Sequence, residues 1–465
     1  MTIGQILYAI TLALIGGALT YGAGTARRER IALVLFFQLS FWLRGAAVFV
    51  NEQITVFPQK FAACFPLDMI NRQGGLVGFF QNFNASDRRI TDQLKFVLEA
   101  AANIPGIAFF ENSPVILNLT NCLVGAGAGI VVFAYMRRLF GRNIAVFALL
   151  LVSFFPAAFN FSLFGLRDIF LYFLILTNIA SLIWLLLRPE RRALQVAIYL
   201  VTLLALGVLR SALLPFILIL PAFLLARAAL RRYRTVQDRR TRIGLVAGAA
   251  LAGVLVLFGS YMVVLHHVGI NGFVMPDKLF AHYVEARASR GTPFAKQYNS
   301  GRGAISTCRS MNHRAQNAAR GVASQYMPFE RYRRTPWVLR EALQLVGFIV
   351  IPLPWQLDRL SRALALFDTF FVVATMFAAW KALRLPPPPA ATARRREDVW
   401  RAFNLGLLLS FAIGWLGYGL LVTDSGNAFR LRLSVEPFLL FGASFYLAAW
   451  PWANARLERL MSRLG

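Results

Sequence analysis

Five arginines fall inside or at the ends of long apolar runs: Arg44, Arg167, Arg210, Arg430 and Arg432. A guanidinium stays charged and presents its donors as a planar fork that matches phosphate or carboxylate. Charge held that close to hydrocarbon is costly, so each of these residues is a candidate functional group. A set of them converging at one membrane face suits a phosphate or diphosphate attached to a lipid. Singly, each also fits a headgroup anchor whose stem reaches the interface, although Arg44 and Arg210 have little room to reach past a helix end. Asp168 follows Arg167 directly, in the short connection between two apolar runs, and reads as the group that orients it. Transfer to an acceptor hydroxyl further needs a carboxylate or imidazole to take the proton. Glu52, Asp68 and His313 are the candidates, with Glu285, Asp424 and Glu436 among the other carboxylates on the same side.

Other chemistries lack their residues. The chain has no phosphate-binding loop of the nucleotidase type, no dinucleotide fingerprint and no His-Glu-x-x-His pair, so no cofactor is expected. Its three cysteines have no metal-ligand spacing, and no metal site is assigned. Cys122 lies in an apolar run and reads as packing, whereas Cys64 and Cys308 fall in outer loops that one disulfide would join.

The elements that position these residues are apolar runs. Hydrophobic residues make up 58% of the 465, and many runs approach the roughly 20 needed to cross a bilayer. The sequence predicts an all-α, polytopic integral membrane bundle in one domain, with about eleven spans. These are 3–23, 31–50, 114–136, 143–163, 169–187, 193–209, 211–230, 243–265, 363–380, 402–422 and 433–450. A formal charge of +28 would suggest nucleic acid in a soluble protein. Here much of it marks orientation, because clusters such as Arg27, Arg28 and Arg30 or Arg137, Arg138 and Arg142 follow every second span. The pattern puts the N-terminus outside and the C-terminus inside, with no nucleic-acid partner.

Two long loops, 51–113 and 266–340, then lie on the outer, periplasmic side. The second is unusually basic for that side, which an anionic ligand or lipid headgroups would compensate. Residues 381–401 form a Pro- and Arg-rich cytoplasmic linker. The run from Leu339 to about residue 356 contains Pro352 and Pro354, and counting it as a span would break the charge alternation. It is read as re-entrant or interfacial; a twelfth, broken span is the alternative.

Three stretches carry a resemblance: Phe164-Gly165-Leu166-Arg167-Asp168, Ile351-Pro352-Leu353-Pro354-Trp355-Gln356 and Ala428-Phe429-Arg430-Leu431-Arg432-Leu433. Together they resemble polytopic bacterial proteins of polysaccharide gene clusters, of the glycosyltransferase-like or O-antigen-polymerase-like kind, from about residue 140 to the C-terminus. The resemblance implies an inner-membrane protein whose partners are membrane lipid and a polyprenyl (di)phosphate-linked glycan, such as an undecaprenyl diphosphate oligosaccharide. Other polysaccharide-assembly proteins are further partners it suggests. It implies that Arg167, Arg430 and Arg432 contact the substrate phosphates, and that sugar is transferred or polymerised at the periplasmic face. The chain departs from glycosyltransferases of the C superfamily, which usually carry an acidic pair early in the first outer loop; here Glu52 has no acidic neighbour. A flippase or transporter for the same lipid is the alternative, and would place charge at midplane depth and on both faces.

Overall fold

A computed structural model describes residues 2–54, 106, 109–110, 113–163, 168–188, 190–210, 213–235, 360–386, 394–421 and 432–452, with separate positions between 339 and 349 and between 454 and 459. The described chain is helical. In order the helices are α1 (Ile3–Tyr21), α2 (Arg27–Ile54), α3 (Pro114–Phe140), α4 (Arg142–Phe154), α5 (Pro156–Ser162) and α6 (Asp168–Leu187). They continue as α7 (Arg192–Leu209), α8 (Leu214–Thr235), α9 (Leu360–Ala382), α10 (Arg394–Leu421) and α11 (Pro437–Ala449). Among the described residues five of them are long and apolar enough to cross a membrane, and α4 with α5, bent by 51°, makes a sixth if the pair is one span. The protein is a polytopic helical membrane protein, as its apolar runs predict.

Local sequence sets the helix ends. Thr2 caps α1 in a reciprocal capping box with Gln5. Ser113 caps α3, whose first residue is Pro114, and Arg137 and Arg138 occupy its last turn, where cations complement the helix dipole. Gly141 separates α3 from α4 at φ 100°, a conformation that a side chain disfavours.

Contacts between helix ends follow the alternation read from the charges. At one face Gln5 Nε2 donates to Ser113 Oγ at 3.2 Å. At the other, Arg137 Nε meets Glu29 Oε1 at 2.8 Å and Asn143 Nδ2 meets Asn454 Oδ1 at 2.6 Å. Phe140, Trp400 and Phe445 close that second face, with Trp400 and Phe445 centroids 4.1 Å apart.

Several expectations change. The run 143–163 is two helices, not one, because Pro156 lacks an amide hydrogen and its ring clashes with the carbonyl four residues back. The linker 381–401 is shorter than expected, since α9 continues to Ala382 and α10 already begins at Arg394. Within 339–356 the described positions, Leu339, Ala342, Leu345–Gly347 and Ile349, are helical. The run 243–265, nearly all of the loops 51–113 and 266–340, and both Cys64 and Cys308 lie outside the described residues. Cys122 is a buried free thiol that donates to the Ser162 carbonyl at 3.3 Å.

Candidate functional site

Breaking a helix inside a bundle releases backbone groups that hydrocarbon cannot satisfy, so neighbouring side chains must do so. Pro156 has no N–H for the Val152 carbonyl, and the Tyr172 hydroxyl of α6 donates to that carbonyl instead, at 3.1 Å. The Ser153 carbonyl accepts from Arg44 Nη2 of α2. The Ala157 amide turns to Asp368 Oδ1 of α9, at 2.9 Å. Three polar residues from three helices thus complete the break.

Arg44 is wholly buried, and the protein occupies its donors on every side. Nε donates to Ser162 Oγ at 3.0 Å, Nη1 to the Ser40 carbonyl at 3.0 Å and to Ser40 Oγ, and Nη2 to the Ser153 carbonyl. Its guanidinium lies 5.0 Å from the centroid of the Phe159 ring, adding a cation–π contact. Room for this comes from the small face of α3. A Cβ at Gly125 would stand 2.9 Å from Ser162 Cβ and 3.3 Å from Arg44 Nε, and one at Gly129 would overlap Ser153 Oγ. Small residues let the helices approach closely enough for the arginine to reach the break.

The interior set extends to the chain just before α11. Arg432 Nη1 lies 3.4 Å from Asp368 Oδ2, 3.1 Å from the Ile349 carbonyl and 3.3 Å from Thr369 Oγ1. Glu436, one turn after Arg432, is fully buried, and neither of its carboxylate oxygens has a hydrogen-bond partner among the described residues. Asp368 therefore serves two masters: it caps the broken helix and pairs with Arg432.

A second set lies at the helix ends. Asp168 opens α6, where a carboxylate complements the helix dipole, and Arg210 closes α7. Arg210 Nη1 donates to Asp168 Oδ1 at 3.3 Å, with Asp168 buried and the Arg210 side chain 16% exposed. The guanidinium stands 5.8 Å from the centroid of the Tyr418 ring near the end of α10. Tyr418 is itself seated on Phe216 of α8, with centroids 4.9 Å apart. Its hydroxyl is buried without a hydrogen-bond partner among the described residues.

The sequence-derived site residues separate accordingly. Asp168 was expected to orient Arg167, which lies outside the described residues; among the described residues it also meets Arg210, because antiparallel α6 and α7 bring the start of one against the end of the other. Arg44 and Arg432 were expected to face a substrate phosphate; both are interior, with protein acceptors around them. Arg167, Arg430, Asp68 and His313 lie outside the described residues. Glu52 is on the last turn of α2. Asp368, Tyr172 and Tyr418 were not singled out from the sequence. A carboxylate inside the apolar run 363–380 and a proline inside 143–163 were the signals available.

No group of three or more His, Cys, Asp or Glu that could hold a metal occurs among the described residues. No family model matches the chain, and no curated protein matches it. Among solved structures it is similar to the archaeal oligosaccharyltransferase AglB from Archaeoglobus fulgidus, determined in complex with an inhibitory peptide and a dolichol-phosphate. Identity is 14% and the TM-score 0.42, over 91% of this chain and 51% of that one. The chain thus spans about half the length of that protein.

Proposed function

We propose that this protein transfers or polymerises sugar from a polyprenyl (di)phosphate-linked donor at the periplasmic face of a bacterial inner membrane, in cell-surface polysaccharide synthesis. The observation that supports this most is the state of Arg210. It is a partly exposed guanidinium at a helix end, and among the described residues one carboxylate orients it, through Nη1. Such a group suits the charge that develops on a departing phosphate oxygen. Arg167, next to Asp168 in sequence, and Arg430 are proposed to complete the phosphate-binding set. Glu52, Asp68 and His313 are the proposed candidates for the base that takes the acceptor proton. In this scheme the acceptor oxygen bonds to the anomeric carbon, the bond to phosphate breaks, and the phosphate leaves with the electron pair. No cofactor enters the scheme.

A flippase for the same lipid is the second reading, favoured by the broken α4–α5 crossing and the interior charges Asp368, Arg432 and Glu436.

The test is transfer of labelled glycan from polyprenyl diphosphate donors by purified protein in lipid. Wild type is expected to turn over, and Arg210→Ala and Arg167→Ala to lose turnover while remaining folded. Movement of the lipid between leaflets by wild type, with no transfer from any donor, would replace the enzyme reading with the flippase reading.

A further inference from the structure

The Tyr418 hydroxyl is buried without a hydrogen-bond partner among the described residues. A buried hydroxyl without a hydrogen bond costs roughly 1–3 kcal/mol relative to one that is satisfied. The other buried tyrosines of the bundle avoid that cost: Tyr8 Oη lies 2.8 Å from Thr120 Oγ1, and Tyr172 Oη donates to the Val152 carbonyl. Tyr418 could be relieved by phenylalanine with no change in ring packing on Phe216. No described group of the bundle explains its hydroxyl.

Its surroundings are specific. The ring lies against the Arg210 guanidinium, and Asp168 approaches the same group from the start of α6. Gly414 and Gly417 of α10 fix the ring's position by letting α8 and the chain before α11 come close. A Cβ at Gly417 would stand 2.7 Å from Phe216 Cζ, and one at Gly414 2.6 Å from Val435 Cγ1. Trp415, on the same turn, donates to the Leu345 carbonyl at 3.0 Å, which further anchors this part of α10. The ring that carries the hydroxyl is thus held on a rigid element, with the Arg210 guanidinium 5.8 Å from its centroid.

We propose that the Tyr418 hydroxyl is a second hydrogen-bond donor to the lipid-linked phosphate, acting with Arg210 on phosphate oxygens of the donor. This rests on the reading of Arg210 as a phosphate ligand. A hydroxyl and a guanidinium both donate, so together they select an acceptor-only, anionic group. Asp168 repels that group from its own side and so fixes the side of Arg210 on which the phosphate sits. Tyr418 acts by binding; the proton of the acceptor hydroxyl is taken elsewhere.

Tyr418→Phe tests this, with the full-length protein in nanodiscs and two probes, undecaprenyl diphosphate and undecaprenol. Thermal melting is followed in the same samples. The variant should melt at or above the wild-type temperature, because the orphaned hydroxyl is gone. It should bind the diphosphate about tenfold more weakly, as expected for one lost hydrogen bond to a charged group. Undecaprenol binding should be unchanged. Equal diphosphate affinity in variant and wild type overturns the proposal and leaves the Arg210 reading standing. Equal losses for both lipids also overturn it, since the hydroxyl would then shape the lipid cavity. Failure of wild type to bind the diphosphate removes both readings together.

Discussion

The protein contains the same trio of side chains twice. In the interior, Arg44, Asp368 and Tyr172 surround the break before Pro156. At the helix ends, Arg210, Asp168 and Tyr418 stand together. The interior trio is saturated: each member bonds a backbone group that the break released. The outer trio has one internal hydrogen bond, between Arg210 and Asp168. It keeps a hydroxyl with no described partner. Residue type is shared, so it does not distinguish structural from functional charge. What distinguishes them is whether the protein itself satisfies the group. Where it does, the charge holds the fold; where no described group does and the side chain stands at a helix end, as at Tyr418 beside Arg210, a ligand is the proposed partner.

Substitutions can break this contrast, beginning with the largest effect. Asp368→Ala removes the cap on Ala157 and leaves Arg432 buried without its carboxylate; breaking such a pair costs about 3–5 kcal/mol. The variant should be recovered as folded protein in much lower yield, which size-exclusion chromatography in detergent measures. Wild-type yield and melting would mean that the break does not depend on Asp368. Arg44→Met should cost about 2–4 kcal/mol, because the Ser153 carbonyl loses its donor in a dry interior. Thermal melting reads that loss directly.

Glu436→Gln sharpens the comparison in the opposite direction. The carboxylate has no described hydrogen-bond partner, so a neutral amide of the same shape should leave stability unchanged or raise it by about 1–2 kcal/mol. A large drop in melting temperature would show that the charge itself is required there. Arg210→Ala should also lower melting, because Asp168 loses this partner in a buried position, but by less than Asp368→Ala, because the Arg210 side chain is partly exposed.

Much of the architecture was legible because apolar runs and flanking arginines are strong signals. Each run except 243–265, which lies outside the described residues, contains a helix, and the contacts at helix ends follow the alternation that the arginines marked. The site was legible only in part. Arg210 and Asp168 stood out by type and position, but 42 residues separate them, and nothing in the sequence says that they meet. Arg44 looked like a ligand-binding charge because its acceptors are distant and mostly backbone: Ser153 is 109 residues away, and its carbonyl is free only because Pro156 breaks the helix. The link between a proline in one run and a charge in each of two others is a tertiary property. Tyr418 was missed for a related reason: a tyrosine in an apolar run gives no sign of whether its hydroxyl finds a partner.

The division of labour between the two trios is tested most directly by measuring stability and lipid-diphosphate binding together in Arg44→Met and Arg210→Ala, using purified protein in nanodiscs. The account predicts that the folded fraction of Arg210→Ala binds undecaprenyl diphosphate at least about tenfold more weakly. It predicts that Arg44→Met melts well below wild type, while the fraction that remains folded binds the lipid normally. The opposite outcome, with binding lost at Arg44 and intact at Arg210, would contradict it.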